Sequence, residues 1–97
     1  MSIMKNMYDI NNFVHAFTEQ GVLSGITERV KQRRKECKLT QQGLAKKSGV
    51  SYASIRRFES TGEISFTSLL KIANALNALA DFNVLFSTEI ISNLKEY

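Results

Sequence analysis

The sequence predicts an all-α fold, and three observations carry that prediction. Apolar residues recur at three- and four-residue spacing along most of the chain, the period of a helix with one buried face. The 97 residues contain no proline, so no helix loses a backbone donor within its run. Asp, Ser and Thr stand just before the periodic segments and glycines stand between them, where caps and turns are needed.

Taken in order, Ile10, Phe13, Val14 and Phe17 make one apolar stripe, predicting a helix over residues 10–20 capped by Asp9 and ended by Gly21. A second helix is expected from about Gly25 to Cys37, with Ile26, Val30 and Cys37 inward and the rest basic. Leu39 packs as the chain turns. Thr40 caps a short helix from Gln41 to Lys47 that buries Leu44 and Ala45, and Ser48-Gly49-Val50 is a tight turn. Ser51 caps a helix from Tyr52 to Ser60 that buries Ile55 and Phe58. After the loop Thr61-Gly62-Glu63, Ser65 caps a helix through about Leu79, with Leu69, Leu70, Ile72, Ala73, Leu76 and Leu79 inward. A last short element is expected over Phe82 to Phe86, and Ile90, Ile91 and Leu94 make the end of the chain more than a frayed tail. This divides the chain into an N-terminal helical extension (1–24), a main domain (25–86) and a C-terminal tail (87–97) that is a candidate for subunit contact.

Composition narrows the function. Hydrophobic residues are 43% and charged residues 23%, which suits one compact domain and excludes wholesale disorder. No 18 apolar residues run together, and the first ten residues lack the apolar core of a signal peptide, so no membrane partner is expected. One cysteine, Cys37, and one histidine, His15, cannot build a disulfide or a structural zinc site. Cys37 reads as a small buried hydrophobe and His15 as a surface residue. The composition fits a reduced cytoplasm. No cofactor is expected, and the basic region has no carboxylate pair or His–Asp set for catalysis.

The net charge of +4 is unevenly spread. Residues 1–28 sum to −2, residues 29–58 to +9 and residues 59–97 to −3. A polycationic stripe between two mildly acidic thirds suits a polyanion such as nucleic acid. Within the stripe, two short helices are joined by three residues that include a glycine. The small Ala45 allows the second helix to cross closely over the first. Burying Ile55 and Phe58 leaves Tyr52, Ala53, Arg56 and Arg57 pointing outward. This is a helix-turn-helix pattern, whose second helix enters the major groove of duplex DNA.

The segment LTQQGLAKKSGVSYASIRRFESTG resembles the helix-turn-helix core of the XRE/Cro-repressor family. The resemblance covers roughly Val30 to Leu79 and includes Arg34, Leu39-Thr40-Gln41, Leu44-Ala45, Gly49-Val50-Ser51, Ile55, Phe58-Glu59, Gly62 and Leu69 to Leu76. It implies a five-helix, lambda-repressor-like DNA-binding domain, here with an extra N-terminal helix, acting as a homodimer. The stretch from Phe58 to Phe86 is most similar to the HipB-like antitoxins, which implies autoregulation of an operon and a HipA-like kinase toxin or accessory subunit as partner. Three residues depart from the pattern. Gly43 replaces a helix former, at a cost of about 1 kcal/mol relative to Ala. Lys38 stands where glycine is common, and Arg33 where an apolar residue is common.

The resemblance gives Gln41 a phosphate contact that also braces the recognition helix, with Gln42 a weaker candidate beside it, and makes Glu59 the internal partner of Arg34. Ser51, at the start of the recognition helix, and Lys46, before the turn, complete the contact set. Ala53 touches a thymine methyl or sits neutral, and Tyr52 packs on a methyl or bonds a phosphate. Ser54 bonds a phosphate. Arg57 is the first choice for direct readout, because its planar fork matches guanine O6 and N7, and Arg56 serves phosphate or base.

The expected activity is sequence-specific repression from a near-palindromic operator. The alternative is an interaction module that meets an acidic protein through the same basic face. Phe82, Val84, Leu85, Phe86, Ile90 and Ile91 exceed the needs of a five-helix core and are candidates for the subunit contact. Phe13 and Phe17 anchor the extension, on the body of its own domain, on a toxin or accessory subunit, or on a second copy.

Overall fold

The computed structural model describes residues 17–90, which form five helices and no strand. Helix α1 (Glu19–Glu36) starts at Thr18, whose extended backbone and Oγ1, accepting from the Gly21 N–H at 2.9 Å, make it the N-cap. The helix then runs unbroken through both Gly21 and Gly25. This corrects the expected helix end at Gly21 and restart at Gly25, so the 24/25 division falls inside one helix. The reason is packing. Gly21 is buried, and Thr27, one turn past Leu23, donates its hydroxyl to the Leu23 carbonyl at 2.8 Å. The Leu23 and Thr27 side chains also lie against Gly62, and tertiary contact of this kind overrides the weak helix propensity of glycine. Phe17 is exposed just before α1, while Ile10, Phe13, Val14 and His15 lie outside the described residues.

Arg33, Arg34 and Lys35 fill the last turn of α1, where positive charge opposes the helix dipole. Lys38 then adopts φ +61°, and the Leu39 N–H bonds the Arg34 carbonyl at 3.1 Å. The lysine thus occupies the left-handed helix-end position for which glycine is the usual choice. Arg33, the other departure from the family pattern, reaches across to the Leu76 carbonyl at 3.4 Å and ties α1 to the end of a later helix.

Helix α2 (Gln41–Ser48) is capped by Thr40, which accepts from the Gly43 N–H, and ends at Gly49 with φ +80°. Helix α3 (Tyr52–Thr61) is capped by Ser51 and ends at Gly62 with φ +82°, one residue later than expected. Helix α4 (Phe66–Ala75) is capped by Ser65. It stops short of the expected Leu79. Leu76 is the C-cap, Asn77 turns left-handed at φ +58°, and the Ala78 N–H bonds the Ala73 carbonyl at 2.8 Å. Asparagine tolerates that conformation better than most residues. Leu79 is consequently exposed rather than inward, and it opens the one-turn helix α5 (Leu79–Phe82). The short element expected over Phe82 to Phe86 therefore ends at Phe82, where the ring meets Phe66 edge-on at 6.3 Å between centroids.

Helix α2 packs on α3 and α4, α1 packs on α3, and α5 on α4. The core is Leu44, Val50, Ile55, Phe58, Ile72, Ala73, Ala75 and Leu76. Val30, Cys37, Leu39, Ala45 and Ile64 seal it from the edges, half-buried. Truncating Phe58, the largest fully buried side chain, is a change that generally costs about 3–5 kcal/mol. The function of this core is to fix α3 across α2 with one side of α3 left in water.

Candidate nucleic-acid interface

The helical spacing of α3 divides its residues cleanly. Ile55, Phe58 and Glu59 are buried, and Tyr52, Ala53, Ser54, Arg56, Arg57 and Ser60 are exposed. The left-handed Gly49 makes this possible, because its N–H closes α2 on the Ala45 carbonyl at 2.9 Å and the chain reverses within three residues. Ser51 then starts α3 by accepting from the Ser54 N–H at 3.1 Å.

A buried ionic latch sets the angle of α3. The Arg34 guanidinium of α1 meets both carboxylate oxygens of Glu59, with Nε to Oε2 at 2.7 Å and Nη2 to Oε1 at 3.0 Å. Arg34 Nη1 also donates to the Leu39 carbonyl at 2.8 Å. Gln41 Nε2 of α2 donates to Glu59 Oε1 at 2.8 Å. Three helices therefore meet on one carboxylate. Burial pushes the Glu59 carboxyl up, but hydrogen bonds from Arg34 and Gln41 and the positive charges of Arg34 and Lys31 outweigh it, holding the group below the usual glutamate range. The Arg34–Glu59 pair is the one expected from the sequence, and the Gln41 amide ties α2 to α3 through the same carboxylate.

Beside the latch, an open polar cleft runs between α1 and α3. Its walls include Gln41, Ala53, Arg56 and Arg57, four of the residues selected from the sequence. Arg56 also lies over the Tyr52 ring, 5.5 Å from its centroid, a cation–π contact that keeps its guanidinium near the start of α3. The Arg57 guanidinium bonds the Glu63 carboxylate in the loop that follows α3. Gln42, Lys46, Ser51 and Ser54 are exposed but are not among the walls of the cleft. The Ser51 and Ser54 hydroxyls are hydrogen-bonded to each other at 2.8 Å.

The same cleft brings in Lys31 and Lys35 from α1, which the motif-based selection passed over. The sequence signal is a pair of lysines four apart flanking Arg34, and it lies outside the two-helix motif. With Glu59 neutralised by Arg34, the remaining charges facing this cleft are the half-buried Lys31 and the exposed Lys35, Arg56 and Arg57. That concentration of positive charge can bind a polyanion. Among the described residues there is no cluster of His, Cys, Asp and Glu able to hold a metal ion, and no helix long and apolar enough to cross a membrane.

No curated protein and no solved structure matches the chain. The helix-turn-helix family model matches residues 30–81, more than half of the chain and all of α2, α3 and α4. With that match joined to a capped α2, a glycine turn and a half-exposed basic α3, the chain belongs to the helix-turn-helix family of XRE type, a family of DNA-binding transcriptional regulators.

Proposed function

We propose that the protein is a homodimeric repressor that reads a near-palindromic operator by laying α3 in the major groove. The observation that carries this reading is the exposed face of α3, with Ala53, Arg56 and Arg57 set in one cleft with Lys31 and Lys35. Base edges fall to Arg57 and Ala53, and to Arg56 or Tyr52 at the start of the helix. Phosphates fall to Ser54, Ser51 and Gln42 around the helix N-termini and to Lys46 in the last turn of α2, with Gln41 and the two α1 lysines on the other side. One module of this size meets too little DNA for tight specific binding, which favours a dimer on two half-sites about one helical turn apart.

Support for the dimer comes from the C-terminal side. Phe82 packs on Phe66 within the chain, but Leu79, Val84, Leu85, Phe86 and Ile90 remain exposed. Ile91 and the rest of the tail lie outside the described residues. The finer assignment, antitoxin of a HipA-like kinase operon, rests on the resemblance of Phe58 to Phe86. Co-purification with a kinase-like product of a neighbouring gene tests it. Binding to an acidic protein through the same cationic face is the rival reading.

The deciding measurement is fluorescence anisotropy on a duplex the protein selects from a randomised pool, repeated across salt concentrations. DNA reading gives preference over scrambled duplex and a log–log salt slope of several units for the dimer. Binding that shows neither sequence preference nor a salt slope overturns it.

A further inference from the structure

Glu63 is an exposed acid placed at the end of the recognition helix, in a region otherwise rich in positive charge. The turn that sets it there is built rather than incidental. Gly62 closes α3 through its N–H on the Phe58 carbonyl at 2.7 Å, with φ +82°. The Thr61 hydroxyl donates to the Arg57 carbonyl at 2.7 Å and accepts from the Glu63 N–H at 3.1 Å. These bonds fix the Glu63 backbone two residues beyond Thr61, which lies one turn past Arg57, and the carboxylate Oε1 takes one nitrogen, Nη2, of the Arg57 guanidinium. A guanidinium carries five N–H donors, so a two-pronged face is still free after this bond.

From this geometry, and resting on the DNA reading above, we propose that Glu63 is a specificity-determining positioning residue for Arg57. Phosphate and base edge differ in charge. When Arg57 reaches for a phosphate, it brings that anion beside the Glu63 carboxylate, and the two repel. Guanine offers its O6 and N7 acceptors on a neutral ring and meets much less repulsion. Glu63 thus penalises the sequence-independent use of Arg57 and leaves the sequence-reading use nearly untouched. Discrimination gained through a repulsive element aimed at the wrong partner is a general route to specificity. In water, two unit charges about 6 Å apart repel enough to change binding about threefold.

The test uses the full chain and its isosteric variant Glu63→Gln, with affinities measured on a duplex selected by the wild type from a randomised pool and on a scrambled duplex of equal composition. Glu63→Gln should bind the scrambled duplex about threefold more tightly per half-site and the selected duplex with much less change, so that the specificity ratio falls. In the Arg57→Ala background the same substitution should leave the ratio unchanged. A wild type that selects a sequence while Glu63→Gln keeps its full ratio overturns the proposal alone. So does a ratio change that persists without Arg57, because it would then come from net charge. A wild type that selects no sequence overturns the DNA reading beneath it, which separates the two failures.

Discussion

The Arg34–Glu59 pair and the Arg57–Glu63 pair both draw on α3, through residues only two positions apart, and differ in almost every physical respect. The side chains of the first are 9% and 3% exposed, and those of the second 68% and 62%. Arg34 uses its full fork on both carboxylate oxygens and adds a backbone carbonyl, while Gln41 supplies a further donor to the acid. Arg57 meets its acid through one nitrogen and one oxygen. Among the described residues no buried side-chain polar atom lacks a partner, so the first pair is satisfied inside the protein. The second stands in water, where an arginine can exchange its carboxylate for another acceptor at little cost. The same two residue types therefore make a latch that holds α3 against α1 and α2 and a contact that can open on the outer face of α3.

The largest effect should follow from breaking the latch on one side only. Glu59→Ala or Arg34→Ala leaves a buried charge without its partner, which costs about 3–5 kcal/mol. Urea unfolding monitored by circular dichroism measures it. Replacing both residues with apolar side chains of similar volume should cost less than either single change, because no charge is then stranded. If the single variants unfold at the wild-type midpoint, the latch is not what orients α3.

Gly62 stands between the two pairs, and its substitution should be the next most damaging. A Cβ there would lie 3.0 Å from both Cγ and Cδ2 of Leu23 and 3.2 Å from Oγ1 of the buried Thr27, in addition to the left-handed φ. Gly62→Ala should cost about 2–3 kcal/mol, combining the strained backbone with overpacking. Gly49 has nearly the same φ, +80°, but nothing within 4 Å of its would-be Cβ. Gly49→Ala should cost only the backbone part, about 1 kcal/mol. Thermal unfolding of the two variants side by side isolates the packing term.

Protonation breaks the latch more gently than deletion. The Glu59 pKa is lower in the folded chain than in the unfolded one, so its stabilisation is fully present above the unfolded glutamate pKa and is lost as pH falls through the folded value. Wild-type stability should therefore decline as pH drops through and below the ordinary carboxylate range. Glu59→Gln, less stable at neutral pH, should show a shallower decline over that range. Parallel curves would mean that other carboxylates carry the acid sensitivity.

How much of this was legible in the sequence follows from the reach of each signal. The motif helices were readable because their caps are local. Thr40, Ser51 and Ser65 each bond an N–H three residues on, and Gly49 and Gly62 each end a helix in the left-handed region. Arg34–Glu59 lies 25 residues apart in sequence, and only resemblance to a family linked the two. The start of α1 was misplaced because Gly21 and Gly25 look like breaks, whereas Thr18 as a cap and the burial of Gly21 against the rest of the domain decide the matter. The end of α4 was misplaced because Leu76 and Leu79 keep the helical spacing, and the turn at Asn77 shows only in the packing of α5. Lys31 and Lys35 could be counted as charge, but that they face Arg56 and Arg57 is a property of how α1 crosses α3.

The smallest effect on stability should come from the exposed pair. Arg57→Ala and Glu63→Ala should each shift unfolding by less than about 0.5 kcal/mol, because a solvated pair gives up little when water replaces the partner. A double-mutant cycle in urea should return a coupling of about 0.2–0.5 kcal/mol, and salt near 1 M should reduce it. The contrast with DNA binding is the informative part. The same Arg57→Ala should lose about 1–3 kcal/mol on a selected duplex and little on a scrambled one. A side chain whose removal the fold hardly registers, but which the specific complex does, is one held for a partner outside the chain. If Arg57→Ala instead unfolds as readily as Glu59→Ala, the outer pair is a second structural latch. The division between an orienting pair and a reading pair on α3 would then have to be abandoned.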